Sequence, residues 1–293
     1  MKRISLFLSV FLFFQVRTGY CLEWKQLHEE ADKINLPSAL DFLKEKPNSP
    51  DVLYLLGLVY LNLHKDQEAE EVFNKIIKLR PETIEARWGE AEVMRRKHNL
   101  EKSEAVLNEV IQANPAFSPA YISLAYIKYT QMDFKQSVSL AYKVIRQEIP
   151  NVDLSNYTRA YLLVGGGRGM LAHYGGPISK IANGTAVLPN LKKAESLQPD
   201  SPGVLFGLGS FYFLAPGLAG GNKGKALVYL ERAVAEDPLF ADAYVRLAQF
   251  YKDKGDTVKY RMYLEKAAEI DPQNTLLLDT KNNECKFVCA SGN

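Results

Sequence analysis

LERAVAEDP, residues 230–238, places Leu230, Ala233 and Val234 at helical spacing and then stops on a proline, a residue that costs a helix interior a hydrogen bond and usually ends it. Three other stretches have the same shape: FNKIIKLRP (73–81), LKKAESLQP (191–199) and LEKAAEIDP (264–272). Pro47, Pro81, Pro115, Pro150, Pro199, Pro238 and Pro272 carry the rhythm along the chain, with spacings of 34, 34, 35, 49, 39 and 34 residues. A period near 34 with proline closing each unit predicts stacked pairs of helices, the second of each pair ending at the proline.

Positions inside the units agree. Residues 50–83 place Leu53, Leu56, Gly57 and Tyr60 on a first helix and Ala69 and Phe73 on a second. Residues 202–240 repeat this with Leu205, Leu208, Gly209, Tyr212, Ala226, Leu230 and Ala233. Residues 241–274 do so with Tyr244, Leu247, Ala248, Tyr251, Leu264 and Ala267. On these residues the chain resembles the tetratricopeptide repeat (TPR) proteins. The resemblance implies an all-α solenoid of helical hairpins with about six repeats, at 50–83, 84–117, 118–151, 158–201, 202–240 and 241–274. A degenerate repeat or cap at 22–49 would precede them and a capping helix at 275–289 would follow. The two long spacings put extra residues between the helices of the fourth and fifth repeats. They predict enlarged turns around Gly175, Gly176 and Pro177, and around Pro216, Gly220, Gly221, Asn222 and Lys225.

The chain of 293 residues opens with Lys2 and Arg3 followed by an apolar run, Ile4–Val16. That run suits a signal peptide better than a membrane span, which needs roughly 17–25 residues. Gly19 and Cys21 supply small residues for cleavage before Leu22, so residues 1–21 read as a signal and residues 22–293 as the mature solenoid. Bulky Tyr20 argues against lipidation of Cys21. Uncleaved, the segment would be the chain's sole membrane contact. The expected location is periplasmic or extracellular. Removing the signal turns the formal charge from +2 to −1, and neither value suggests a nucleic-acid partner. Cys285 and Cys289 stand four apart. A helical turn holds such Cβ atoms about 5–6 Å apart, too far for a disulfide, so pairing requires a C-terminus that has left the helix.

Catalytic chemistry is hard to find. Gly224-Lys225 ends a glycine-rich loop as a phosphate-binding loop does, but Ala226 stands where the magnesium-holding hydroxyl belongs, and a helix rather than a strand precedes. His28, His64, His98 and His173 are scattered, with no metal-ligand spacing. Arg168 and His173 lie in GGGRGMLAHYGG (165–176), which reads as irregular loop. No catalytic residue, cofactor or metal site is expected.

In TPR proteins the first helix of each unit lines a concave face. Transferring that register gives Tyr54, Leu58, Leu61, Trp88, Ile122, Tyr126, Tyr129, Leu162, Phe206, Phe213 and Val245, an apolar and aromatic set. Glu85, Arg95, Arg159, Arg246, Gln249 and Lys252 supply its polarity. A surface of that character is covered by a ligand, by a partner, or by the chain's own terminal helix or insertions. Two further resemblances bear on which. GPISKIANGTAVLPNLKKAESLQPDSPGVLFGLGSFYF (176–213) resembles the corresponding segment of the regulator of microtubule dynamics family. The turn built on Pro216, Gly220, Gly221, Asn222, Lys225 and Ala226 resembles the T component of TRAP transporters, the TatT-like family. The latter implies an exported accessory that holds a hydrophobic small molecule beside a periplasmic solute-binding protein. The primary expectation is a non-enzymatic exported protein that mediates protein–protein interaction or assembly at the bacterial envelope, through the concave groove and the loop edge.

Overall fold

The computed structural model describes residues 23–288, which form fifteen α-helices and no strand. Residues 1–21, read above as a signal, and Cys289 lie outside the described residues. After α1 (Trp24–Ala31) and α2 (Leu36–Glu45) come α3 (Pro50–Asn62) and α4 (Asp66–Leu79), α5 (Ile84–Arg96) and α6 (Leu100–Ala113), and α7 (Ser118–Thr130) and α8 (Phe134–Ile145). They continue with α9 (Leu154–Tyr174) and α10 (Pro177–Leu197), α11 (Pro202–Leu214) and α12 (Lys223–Glu236), α13 (Ala241–Asp253) and α14 (Thr257–Ile270), and α15 (Thr275–Lys281). From α3 on, each helix packs on the one before it, and the first helix of each pair also packs on the first helix of the next, the arrangement of a TPR solenoid.

Small residues set the packing distance within and between pairs. Phe73 of α4 is fully buried between Gly57 of α3 and Gly89 of α5, and a methyl group on either glycine would lie 2.5 Å from its ring. Regular pairs turn in three residues, the middle one in the left-handed region: His64 (φ 57°), His98 (φ 60°), Met132 (φ 64°) and Gly255 (φ 78°). Two of these turns also reach across the superhelix. His64 Nε2 donates to Asp237 at 3.0 Å and His98 Nε2 to Asp271 at 3.0 Å, in each case 173 residues further on. Both aspartates stand immediately before a unit-closing proline. The first pair is thereby clipped to the fifth and the second to the sixth, so the solenoid returns on itself within four pairs.

The fourth pair takes up its extra residues in an unexpected way. Rather than a long turn, α9 and α10 are 21 residues each against 12–14 elsewhere among the six pairs, joined through Gly175 and Gly176 alone. GGGRGMLAHY is helical. A methyl at Gly165 would lie 2.8 Å from Leu191 of α10, and one at Gly167 would lie 2.5 Å from Val138 of α8, so close packing offsets glycine's low helix propensity of about 1 kcal/mol per residue. Arg168 is a tie between helices, its Nη1 donating to Asn183 of α10 at 2.9 Å. The fifth pair does have the enlarged turn, residues 215–222. There Gly220 has φ 98°, whereas Gly221 is required by contact, since a methyl would meet the Ala215 carbonyl oxygen at 1.8 Å.

The closing helix is shorter than 275–289. α15 ends at Lys281, and Asn283 and Cys285 then take positive φ (52° and 53°), turning residues 284–288 back toward the concave side. Among the described residues no helix is long and apolar enough to cross a membrane.

Candidate interaction surfaces

The first-helix positions expected to line the concave face are packed against by segments of the chain itself. Tyr54, Leu58, Trp88 and Phe213 are each at most 5% exposed, while Tyr126, Tyr129, Leu162 and Phe206 are half-buried. Over the N-terminal half, α1 lays Trp24 edge-on to Phe117 and buries His28 against Trp88 and Tyr54. Burial holds the His28 ring below its ordinary pKa and pushes the Tyr54 hydroxyl up. A neutral imidazole therefore meets a protonated phenol, and the two hydrogen-bond at 2.9 Å.

Beside them lies a closed polar network. Trp88 Nε1 donates to Ser123 Oγ (3.0 Å), which donates to Glu92 Oε2 (2.7 Å). Arg95 donates twice to the same carboxylate (2.9 and 2.6 Å), and Arg96 donates to it at 3.4 Å and to Asp66 at 3.0 Å. Burial alone would raise the Glu92 pKa, but the charges of Arg95 and Arg96 and the Ser123 hydroxyl outweigh it and bring the group to about 2. The Arg95 guanidinium also stacks over Tyr126, 5.4 Å from the ring centre. The cleft bounded by His28, Trp88, Glu92, Arg96 and Arg159 has room for about 30 Å³, the scale of one or two waters.

The C-terminal half is occupied by residues 284–288. Arg246, Gln249 and Lys252 of α13, the polar concave positions, all hold this segment or its approach. Arg246 donates to the Val288 carbonyl (2.9 Å) and the Phe287 carbonyl (3.4 Å) and to Gln249 (2.6 Å), Gln249 donates to Thr280 (2.7 Å), and Lys252 donates to Asn283 (3.0 Å). The Phe287 ring stacks on Tyr129 with centroids 5.9 Å apart. Cys285 is disulfide-bonded, and the other two cysteines of the chain, Cys21 and Cys289, lie outside the described residues.

The other candidate surface is the edge bearing both insertions. Gly175 and Gly176 cap the α9–α10 link and Pro177 is the first residue of α10. Beyond the pair's packed region, α10 exposes Ile178 (85%) and Ile181 (70%). These share a helical face with half-buried Leu188, within 4.0 Å of which a methyl on Gly220 would fall. Leu218, at the tip of the fifth-pair turn beyond Pro216, is fully exposed. Asn222 caps α12 by accepting from the Lys225 N–H (2.9 Å), and the Lys225 ammonium lies 5.4 Å from the centre of the Tyr212 ring. This edge was marked in the sequence by its spacing; its apolar exposure was not, because isoleucines at helical spacing read equally well as core.

Residues 50–83 and 241–274 each match the family model described as tetratricopeptide repeat. No curated protein matches the chain in sequence. Among solved structures, a tetratricopeptide repeat protein from Parabacteroides merdae is similar at TM-score 0.51 and 14% identity, covering 87% of this chain and 97% of that one. The human IFIT1 dimer with m7Gppp-AAAA is similar at TM-score 0.58 and 17% identity, covering 85% of this chain and 57% of that one. The APC/C hetero-tetramer Cut9-Hcn1 is similar at TM-score 0.56 and 15% identity, covering 86% and 46%. This chain thus spans about half the length of the last two. At these identities the likeness is one of fold.

Proposed function

We propose that this chain is a non-enzymatic, exported scaffold that binds partner proteins through the edge formed by the first half of α10 and the 215–222 turn. The observation that carries the reading is the exposure of Ile178, Ile181 and Leu218, at 85%, 70% and 107%, on a solenoid whose concave side is already filled. Apolar side chains grouped in this way on a folded surface mark contact sites. The edge also lacks acidic residues: none occurs between Asp153 and Glu195, while Arg159, Arg168, Lys180, Lys192 and Lys193 do. A partner with an apolar patch and a neutral or acidic rim fits it. Export rests on the signal-like residues 1–21, and the bacterial envelope is the proposed setting. The alternative, a hydrophobic-ligand accessory of a TRAP-type transporter beside a solute-binding protein, needs an open apolar groove and finds less support in a face covered by α1 and residues 284–288.

Ile178→Asp combined with Ile181→Asp is expected to leave the melting temperature within about 2 °C, because both side chains are exposed. The same change should cut recovery of crosslinked partner proteins from the native source by about tenfold, about 1.4 kcal/mol of binding. Quantitative mass spectrometry of the captured material reads this. Undiminished recovery with the doubly charged edge would contradict the reading.

A further inference from the structure

We infer that the groove between the first half of α10 and the 215–222 turn receives an acidic amphipathic helix of the partner protein, laid end to end with α11. This rests on the scaffold reading and names the chemistry of the partner at that same edge.

Helix lengths leave the first half of α10 without a following helix beside it. In the regular pairs a second helix of 14 residues is followed by a first helix of 13, as α4 by α5, α6 by α7 and α12 by α13. α10 has 21 residues and α11, which follows it, has 13. The two are in contact where a methyl on Gly207 of α11 would lie 3.3 Å from Leu191 of α10. From there α11 runs out at Leu214, about two turns short of the start of α10.

The side of α10 that faces this gap is apolar. Ile178, Ile181, Thr185 and Leu188 follow one another at steps of three and four, which places them on one face. The first three are exposed and Leu188 is half-buried. Leu188 and half-buried Phe211 form the floor, because a methyl on Gly220 would lie 4.0 Å from the one and 3.7 Å from the other. Gly220 therefore passes over both with no side chain to cover them. Leu218, fully exposed, stands on the far side. A recess with a floor below its rim accepts the ridge of side chains on a helix, whereas a bilayer surface meets only what projects.

Charge selects among helices. Residues 154–194 and 201–230, which build both walls, hold seven lysines and arginines and no aspartate or glutamate. Arg168 is tied to Asn183, Lys192 to Glu195 and Lys223 to Asp253. Lys180 and Lys225 are exposed and have no carboxylate partner among the described residues. Acidic residues flanking the apolar stripe of an incoming helix complement them. A second copy of this chain, presenting the same basic edge, is repelled.

The test carries Thr185→p-benzoylphenylalanine in the full chain in its native source, with photocrosslinked residues mapped by mass spectrometry. The mapped segment is expected to be net acidic, with apolar residues recurring at three and four positions. Lys180→Glu with Lys225→Glu should lower the crosslink yield about tenfold, and Lys180→Arg with Lys225→Arg should keep it. Crosslinks to lipid, to this chain itself, or to a basic or non-helical segment would each overturn the inference. A yield that survives the two glutamates but falls with Ile178→Asp and Ile181→Asp would overturn it and leave the edge reading standing. A yield that survives both pairs of substitutions would overturn both.

Discussion

Phe73→Ala is expected to lower the unfolding free energy by about 3–5 kcal/mol, read as a fall in the urea midpoint at unchanged slope. The ring is 0% exposed and touches three helices at once: its own α4, α3 through Gly57 and α5 through Gly89. Helices held apart by a ring cannot close over alanine without moving both neighbouring pairs, so the cavity persists and its cost adds to the lost burial. The same geometry gives the converse substitution a sign. Gly89→Ala gains about 1 kcal/mol of helix propensity but puts a methyl 2.5 Å from the ring, and overpacking of that kind costs about 1–3 kcal/mol. The net expectation is destabilisation, smaller than for Phe73→Ala. A loss under about 1 kcal/mol for Phe73→Ala would mean that the first two pairs are not packed through this ring.

Glu92→Ala is expected to cost about 3–5 kcal/mol, because it leaves Arg95 and Arg96 facing each other without the carboxylate they share. The pH dependence is a second signature. Glu92 titrates at about 2 in the fold and near 4.5 in the unfolded chain. A carboxyl depressed on folding contributes stability that is full above its unfolded value and is lost as pH falls through its folded one. The difference corresponds to about 3 kcal/mol, present above about pH 4.5 and disappearing toward pH 2. Between about pH 5 and 2.5 the parent should therefore lose more stability than Glu92→Ala, in matched urea titrations. Parallel losses would place the network's contribution elsewhere. Replacing Leu218 or Ile181, both exposed, should change stability far less than either substitution.

Much of the architecture could be read from proline. Pro81, Pro115 and Pro272 end helices for a local reason, the missing N–H and the ring clash, and helix starts at Pro50, Ile84, Ser118, Pro202 and Ala241 coincide with the first residues of the units. The fourth pair was misread where propensity and packing conflict. A run such as VGGGRG (164–169) looks like loop until Leu191 and Val138 are seen to need the space its glycines leave. The apolar, aromatic character of the first-helix positions was legible from the repeat register; what packs against them was not. Nothing local in the sequence announces that Trp24 will meet Phe117 and His28 will meet Trp88, or that Phe287 will return to Tyr129 from 158 positions away. The His64–Asp237 and His98–Asp271 clips are long-range for the same reason, and only their common separation of 173 residues betrays the repeat.

The central claim is that the concave side is filled by the chain itself, leaving the α10 edge as the open contact surface. Amide hydrogen exchange at Lys286 and Phe287 tests it most directly, since both N–H groups are bonded to the buried Asp279 carboxylate. Exchange at least about tenfold slower than in a free peptide of the same sequence, lost in Asp279→Ala, is the result this account predicts. Exchange at the free-peptide rate in the intact protein would show the segment outside the cleft and the concave face open, and would contradict it.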